Sequence, residues 1–230
     1  MLVNRILDKL ILMKDKKLTE DDVDFARRCL SDKEPLVRSE AVGLICSSDF
    51  FNEKDIERLL TLFDDDEMTV RAEVYDGLSE CTNEIVSEKL KNAVYSEKDD
   101  IARSYAIEAW TDTIINISAG TFDKEINFIR SIQNFDFIQQ SEYSRLACEC
   151  ALYSFKVKGA LQGMLSFLES EDYHIQCSVI NSLMRILRKD DVSETSRVLS
   201  EFLNKHPCKA VKGCIEEFFS EFVSENTDFN

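Results

Sequence analysis

Ile56, Leu59, Leu60 and Phe63 recur at i, i+3, i+4 and i+7, the spacing of one buried helical face. The same period runs through most of the chain and predicts pairs of helices joined by short polar turns. The first helix of each pair, helix A, is predicted over Glu20–Leu30, Glu53–Phe63, Glu84–Tyr95, Asp123–Ile132, Lys158–Leu168 and Glu194–Leu203. The second, helix B, begins near Pro35, Met68, Asp99, Glu142, Asp172 and Pro207. Val37, Ala41, Leu44 and Ile45 form the buried stripe of one B helix, and Val70, Val74 and Leu78 that of the next. Pro35 and Pro207 suit a first helical turn, where the missing N–H costs nothing. In Met1–Lys14 the charges Arg5, Asp8 and Lys9 interrupt the apolar residues at helical spacing. That stretch reads as an amphipathic capping helix, with Leu2, Ile6, Leu7, Leu10 and Ile11 inward.

The pairs repeat. VRSEAVGL at Val37–Leu44 returns as VRAEVYDGL at Val70–Leu78, a step of 33 residues from Arg38 to Arg71. The same slot falls at Arg103, Arg145, Gln176 and Lys209, and three residues on stand Ala41, Val74, Ala106, Cys148 and Val179, with Lys212 an exception. A fixed period of this size means stacked supersecondary units. One helix pair cannot shield both of its apolar sides, so neighbours must cover each other. The whole chain, 1–230, is therefore expected to be one all-α solenoid domain of about six pairs, with a disordered polar tail at 223–230. The interval from Arg103 to Arg145 is longer by roughly ten residues, around Asn116–Gly120 and Gln133–Gln140, where the stack is expected to bend or carry a loop.

Composition narrows the chemistry. Two prolines and six glycines in 230 residues argue against a turn-rich β architecture. No apolar run reaches the roughly 18 to 20 residues that span a bilayer. The eight cysteines lie mostly within apolar helical stretches and read as reduced, small hydrophobes, which points to the cytoplasm. Formal net charge is −16, and residues 1–115 hold 27 acids against 16 bases. Such a field disfavours nucleic-acid and membrane partners and favours rapid capture of a basic protein.

The acidic turn followed by Val-Arg, then Ala three residues on and Leu beyond, resembles the HEAT repeat. It is closest in Glu34–Leu44 and Asp66–Leu78 and weaker where Gln176 and Lys209 replace arginine. The resemblance implies a right-handed superhelical stack, B helices lining its concave side, and a binding scaffold. It also implies that Arg38, Arg71, Arg103 and Arg145 bond carboxylates of the turns. HEAT-type DNA glycosylases work in basic grooves, which this chain lacks. HEAT-type iron hydroxylases use repeated His-Glu pairs, but the two histidines here precede Ile175 and Pro207. No cofactor, metal site or catalytic constellation is expected.

The candidate partner-binding residues are carboxylates. Positions two, five and nine after the arginine marker share one side of helix B, and the first three repeats place Glu40, Glu73, Asp76, Glu80, Glu108 and Asp112 there. Later repeats put Cys150, Ser154, Asn181 and Arg185 in those slots, so the stripe ends. A second cluster, Asp64, Asp65, Asp66 and Glu67, exceeds what capping of a helix N-terminus requires. Tyr75, Tyr105, Trp110 and Tyr143 are interface anchors where exposed. These features point to a non-enzymatic binding protein, monomeric alone. The sharpest form is a bacterial immunity or inhibitor protein that neutralises a basic toxin, such as a nuclease. The alternatives are an adaptor gripping a helix or peptide of a larger assembly and, more remotely, a HEAT-type lyase or glycosylase.

Overall fold

The computed structural model describes residues 2–118 and 120–222, with side chains from Arg5 onward. The fold is all-α, and there is no strand among the described residues. The chain divides into two compact units, residues 1–121 and 122–230. The boundary falls in the long interval that separates Arg103 from Arg145. The tail at 223–230 lies outside the described residues.

The first unit holds α1 (Leu2–Met13), α2 (Glu20–Cys29), α3 (Pro35–Cys46), α4 (Glu53–Leu60), α5 (Met68–Gly77), α6 (Glu84–Ser96) and α7 (Asp100–Ile117). The B helices α3, α5 and α7 pack side by side in that order, α1 and α2 lie against α3, and α6 lies against α7. The second unit holds α8 (Asp123–Ile132), the single-turn α9 (Asp136–Gln139), α10 (Glu142–Ser154), α11 (Ala160–Ser166), α12 (Tyr173–Ile186), α13 (Val192–Leu203) and α14 (Lys209–Phe222). Here α10 packs on α12 and α12 on α14. The helix α9 occupies the expected insertion. Helix α4 tightens into a 3-10 turn over Thr61–Asp64, so of its predicted stripe Leu59 is fully buried while Ile56, Leu60 and Phe63 are half-buried.

Local signals set the helix starts. Pro35 opens α3. Asn83, Asp99, Ser141 and Asp172 cap α6, α7, α10 and α12 with side-chain oxygens. Thr19 and Asn52 form capping boxes with Asp22 and Asp55. Two expectations shift. Pro207 precedes α14, because the helix begins only at Lys209. In α1, Leu10 and Met13 are buried and Ile11 is exposed, since Ile11 lies about 100° around the helix from Leu10. Leu2 lies outside the described side chains.

The late start of α14 repairs the repeat. Arg38, Arg71, Arg103, Arg145 and Gln176 are each the fourth residue of their helix, and the fourth residue of α14 is Lys212, not Lys209. Three positions on, the exception disappears: Ala41, Val74, Ala106, Cys148, Val179 and Ile215 are all fully buried.

Close packing of α3 on α5 depends on a small residue. A Cβ at Gly77 would sit 2.5 Å from Cys46 Sγ and 3.1 Å from Cys46 Cβ. Gly77→Ala is therefore expected to destabilise the protein by about 1–2 kcal/mol, despite alanine's better helix propensity. Urea unfolding checks this, and Cys46→Ala in the same chain should recover most of the loss.

Candidate protein-binding face

The arginine at the fourth position of helix B organises the turns. Arg38 donates through Nε and Nη2 to Asp65 (2.8 and 2.6 Å) and through Nη1 to the carbonyl of Asp32 (2.8 Å). Arg71 repeats this one pair later, donating to both oxygens of Glu97 (2.7 Å each) and to the carbonyl of Asp65 (2.7 Å). Arg103 donates to the carbonyl of Glu97, and Gln176 to that of Ser170. Each arm ties a helix to its own turn, and in Arg38 and Arg71 a second arm ties it to the next. Glu97 also accepts from Tyr75 Oη and from the N–H groups of Lys98 and Asp99. These arginines are thus structural.

The acidic run at residues 64–67 is part of that device. Asp65 is nearly buried, pairs with Arg38, and accepts the N–H of Glu67 (3.0 Å). Burial pushes its carboxyl up, but Arg38 outweighs burial and holds it below the usual carboxylate range. Asp65 is therefore unsuited to a partner, which corrects its place among the candidates. Asp64, Asp66 and Glu67 remain exposed. The capping reading also needs amendment: neither Glu34 nor Glu67 makes a side-chain cap, whereas Asp32 and Asp65, two residues earlier, accept the cap N–H.

On the outward side of α3, α5 and α7, steps of 33 and 32 residues align rows across the three helices. One row is Glu40, Glu73 and Tyr105. The next is Gly43, Asp76 and Glu108, and the third Ser47, Glu80 and Asp112. Asp76 and Glu80 are exposed, and Glu40, Glu73, Glu108 and Asp112 are half-buried. Glu40 pairs with Lys14 of the α1 end at 2.5 Å. The Glu73 carboxylate lies over Gly43, where an added Cβ would meet its Oε1 at 2.5 Å. Burial, then Asp76 and Glu40, push the Glu73 carboxyl up, with Lys14 opposing. Burial and then Asp76, Glu108 and Glu73 likewise raise the Tyr105 phenol. Glu73 thus feels the charges of Asp76 and Glu40, and Tyr105 those of Asp76, Glu108 and Glu73, while Lys14 offsets Glu40.

Of the aromatic candidates, Tyr75 and Trp110 are buried, Tyr143 is half-buried and Tyr105 is exposed. Sequence reasoning passed over Leu36 and Ile101, exposed at the second positions of α3 and α7, one turn from the Glu40–Tyr105 row. The 65-residue offset that relates Glu40 to Tyr105 also relates Leu36 to Ile101, so the signal was present. Lys14 was hidden because its partner lies two elements away.

None of the eight cysteines is bridged, and Cys208 is exposed rather than buried. Among the described residues no group of three or more His, Cys, Asp or Glu could hold a metal ion, and no helix is long and apolar enough to cross a membrane.

The architecture defines an all-α protein of stacked helix pairs. No protein-family model matches the chain, and no curated protein matches it. Among solved structures the chain is similar to an engineered protein whose crystal structure comes from the Northeast Structural Genomics Consortium. The identity is 15% over 88% of this chain and 97% of that one, with a TM-score of 0.44.

Proposed function

We propose that this chain is a HEAT-like, non-enzymatic binding protein of the cytoplasm, whose first unit captures a basic protein on the outward face of α3, α5 and α7. The observation that supports this is the gathering of Glu73, Asp76 and Glu108 near Tyr105, with Glu40 beside Glu73, where burial and neighbouring acids oppose ionisation of Glu73. An incoming lysine or arginine offsets the burial and the neighbouring acids that oppose ionisation of Glu73. Glu80, Asp112, Asp64, Asp66 and Glu67 add to the field that steers such a partner. In its sharpest form the reading is an immunity or inhibitor protein that covers the basic surface of a toxin, for example a nuclease.

Leu36, Ile101 and Tyr105 support a second reading, an adaptor that grips an apolar helix or peptide on the same face. Salt separates the two. Charge-dominated capture slows steeply as ionic strength rises, and apolar capture does not.

The test is affinity capture from native lysate at low and high salt, followed by charge reversal at Glu73, Asp76, Glu80, Glu108 and Asp112. A basic partner released by salt, with affinity reduced at least about 100-fold by the reversal and helicity unchanged, is the expected result. A salt-resistant partner, or affinity untouched by the reversal, overturns the charge-capture reading.

A further inference from the structure

Ser170 stands in a slot that other turns fill with a carboxylate. Asp32, Asp65, Glu97 and Ser170 each lie six residues before the fourth residue of the following helix, which is Arg38, Arg71, Arg103 and Gln176 in turn. The carbonyl of each accepts a hydrogen bond from that fourth residue. The side chain of each accepts the backbone N–H two residues on: Glu34 on Asp32, Glu67 on Asp65, Asp99 on Glu97, and Asp172 on Ser170 Oγ at 3.1 Å. Ser170 is therefore the structural counterpart of three acids, yet it carries no charge.

The consequence falls on the arginine of the preceding helix. Arg38 and Arg71 close a fork of two bonds on Asp65 and on Glu97. Arg145 holds the same position in α10 and closes no such fork. Its Nη2 stands 3.5 Å from Glu142 Oε1, its buried Nε has no hydrogen-bond partner, and its guanidinium carbon lies 5.5 Å from the Phe167 ring centre. The other oxygen of Glu142 accepts the Ser170 hydroxyl at 2.7 Å. One carboxylate thus stands between the guanidinium and Ser170. Glu169 and Glu171, on either side of the serine, are exposed, so the turn is open to an enzyme.

We propose that Ser170 is a phosphorylation site, whose phosphoryl group takes the place beside Arg145 that the Asp65 and Glu97 carboxylates hold beside Arg38 and Arg71. A protein kinase transfers the terminal phosphoryl group of a nucleoside triphosphate to Ser170 Oγ. The new P–Oγ bond forms, the bond from phosphorus to the bridging oxygen breaks, and nucleoside diphosphate leaves with that oxygen. The hydroxyl proton passes to the base of the kinase. The modified serine no longer donates to Glu142, whose side chain is 39% exposed and can turn to solvent. Phosphoryl oxygens then accept from Nε and Nη2 of Arg145, which ties α10 to the turn before α12. Glu169, Glu171 and Asp172 repel the added charge, but all three are exposed and screened by water, whereas the Arg145 Nε is enclosed.

The experiment installs phosphoserine at position 170 of the full chain by codon reassignment and compares it with the unmodified chain, in the wild-type background and in Arg145→Gln. Each comparison is made within one background, so any folding defect of Arg145→Gln cancels. Phosphorylation should raise Tm by about 2–5 °C with Arg145 present and should not raise it in Arg145→Gln. Phosphorus NMR adds a readout of the ion pair itself. The second ionisation of the phosphate, ordinarily at about pH 6, should lie lower with Arg145 than without it. Ser170→Glu, which copies Glu97, should give a smaller rise that also depends on Arg145. Phosphopeptide mapping of the chain after incubation with native lysate and nucleoside triphosphate should place phosphate on Ser170. An unchanged or lowered Tm, a gain or an ionisation indifferent to Arg145, or phosphate found only elsewhere or nowhere would each overturn the proposal.

Discussion

Replacing Glu97 by alanine is expected to cost about 3 kcal/mol at pH 7. The side chain is almost wholly buried between α6 and α7 and carries five interactions: two arms of Arg71, the Tyr75 hydroxyl, and the N–H groups of Lys98 and Asp99. Removing it leaves the Arg71 guanidinium, half enclosed by the turn, without a counter-ion, the situation in which loss of one partner costs about 3–5 kcal/mol. The residual exposure of Arg71 moderates the figure. The cost has a pH signature. Burial would push the Glu97 carboxyl up, but Arg71, the turn N–H groups and Tyr75 hold it at about 2, against 4.5 in the unfolded chain. The folded state binds its proton less readily than the unfolded state. The stabilisation is therefore fully present above pH 4.5 and drains away as pH falls towards 2. Urea unfolding of wild type and variant from pH 7 to pH 3 checks both halves. The curves should stand about 3 kcal/mol apart at pH 7 and converge at acid pH. A gap independent of pH would mean that Glu97 acts by packing alone.

The residues that make this prediction possible are only partly visible in the sequence. Arg38 and Arg71 betray the repeat because each occupies the fourth position of a helix and its neighbours follow the apolar period. Sequence spacing also locates the buried stripe, since a residue three places on must face the same side of a helix. What spacing cannot reveal is the second half of each interaction. Arg71 reaches Glu97 across 26 residues, and Asp65 serves Arg38 from the next turn, so a run of four acids looks like a surface cluster until the neighbouring helix is placed. The same blindness produced the error at α14. Pro207 is a good helix opener, yet Pro207 and Cys208 stay outside the helix, which begins at Lys209, so the marker falls at Lys212 rather than Lys209. The outward face was readable, because carboxylates at Glu40, Glu73, Asp76 and Glu108 follow the period as faithfully as the core does. The closeness of Glu73, Asp76 and Glu108 to Tyr105 and the pairing of Glu40 with Lys14 depend on how far apart the helices lie, which no single-chain pattern encodes.

Asp55→Ala is expected to be the most damaging carboxylate substitution in the first unit, at about 3–5 kcal/mol. Its side chain is completely buried at the third position of α4. Both oxygens accept from Arg27 of α2, through Nε at 2.9 Å and Nη2 at 2.7 Å, and Arg58 donates to Oδ1 at 3.0 Å. Asp55 also receives the N–H of Asn52 at 3.2 Å, closing the capping box that starts α4. One side chain therefore ties two A helices together and begins the second of them. Burial works against its charge, and the Arg27 fork overcomes burial to hold the carboxyl below its ordinary range. Truncation would leave Arg27, itself largely enclosed and also donating to the carbonyl of Phe50, with the exposed Asp24 as its remaining counter-ion and its Nε and one Nη2 proton unsatisfied. Asp55→Asn should fall between wild type and alanine. It keeps an oxygen for the Asn52 N–H but turns an amide NH2 towards a guanidinium. The decisive measurement is a double-mutant cycle with Arg27→Leu. Because removing both members of a buried pair is far cheaper than removing one, the double variant should recover at least about 1–2 kcal/mol relative to the sum of the single losses. Additive losses would mean that α2 and α4 are held by packing, and that Asp55 contributes only through the capping box.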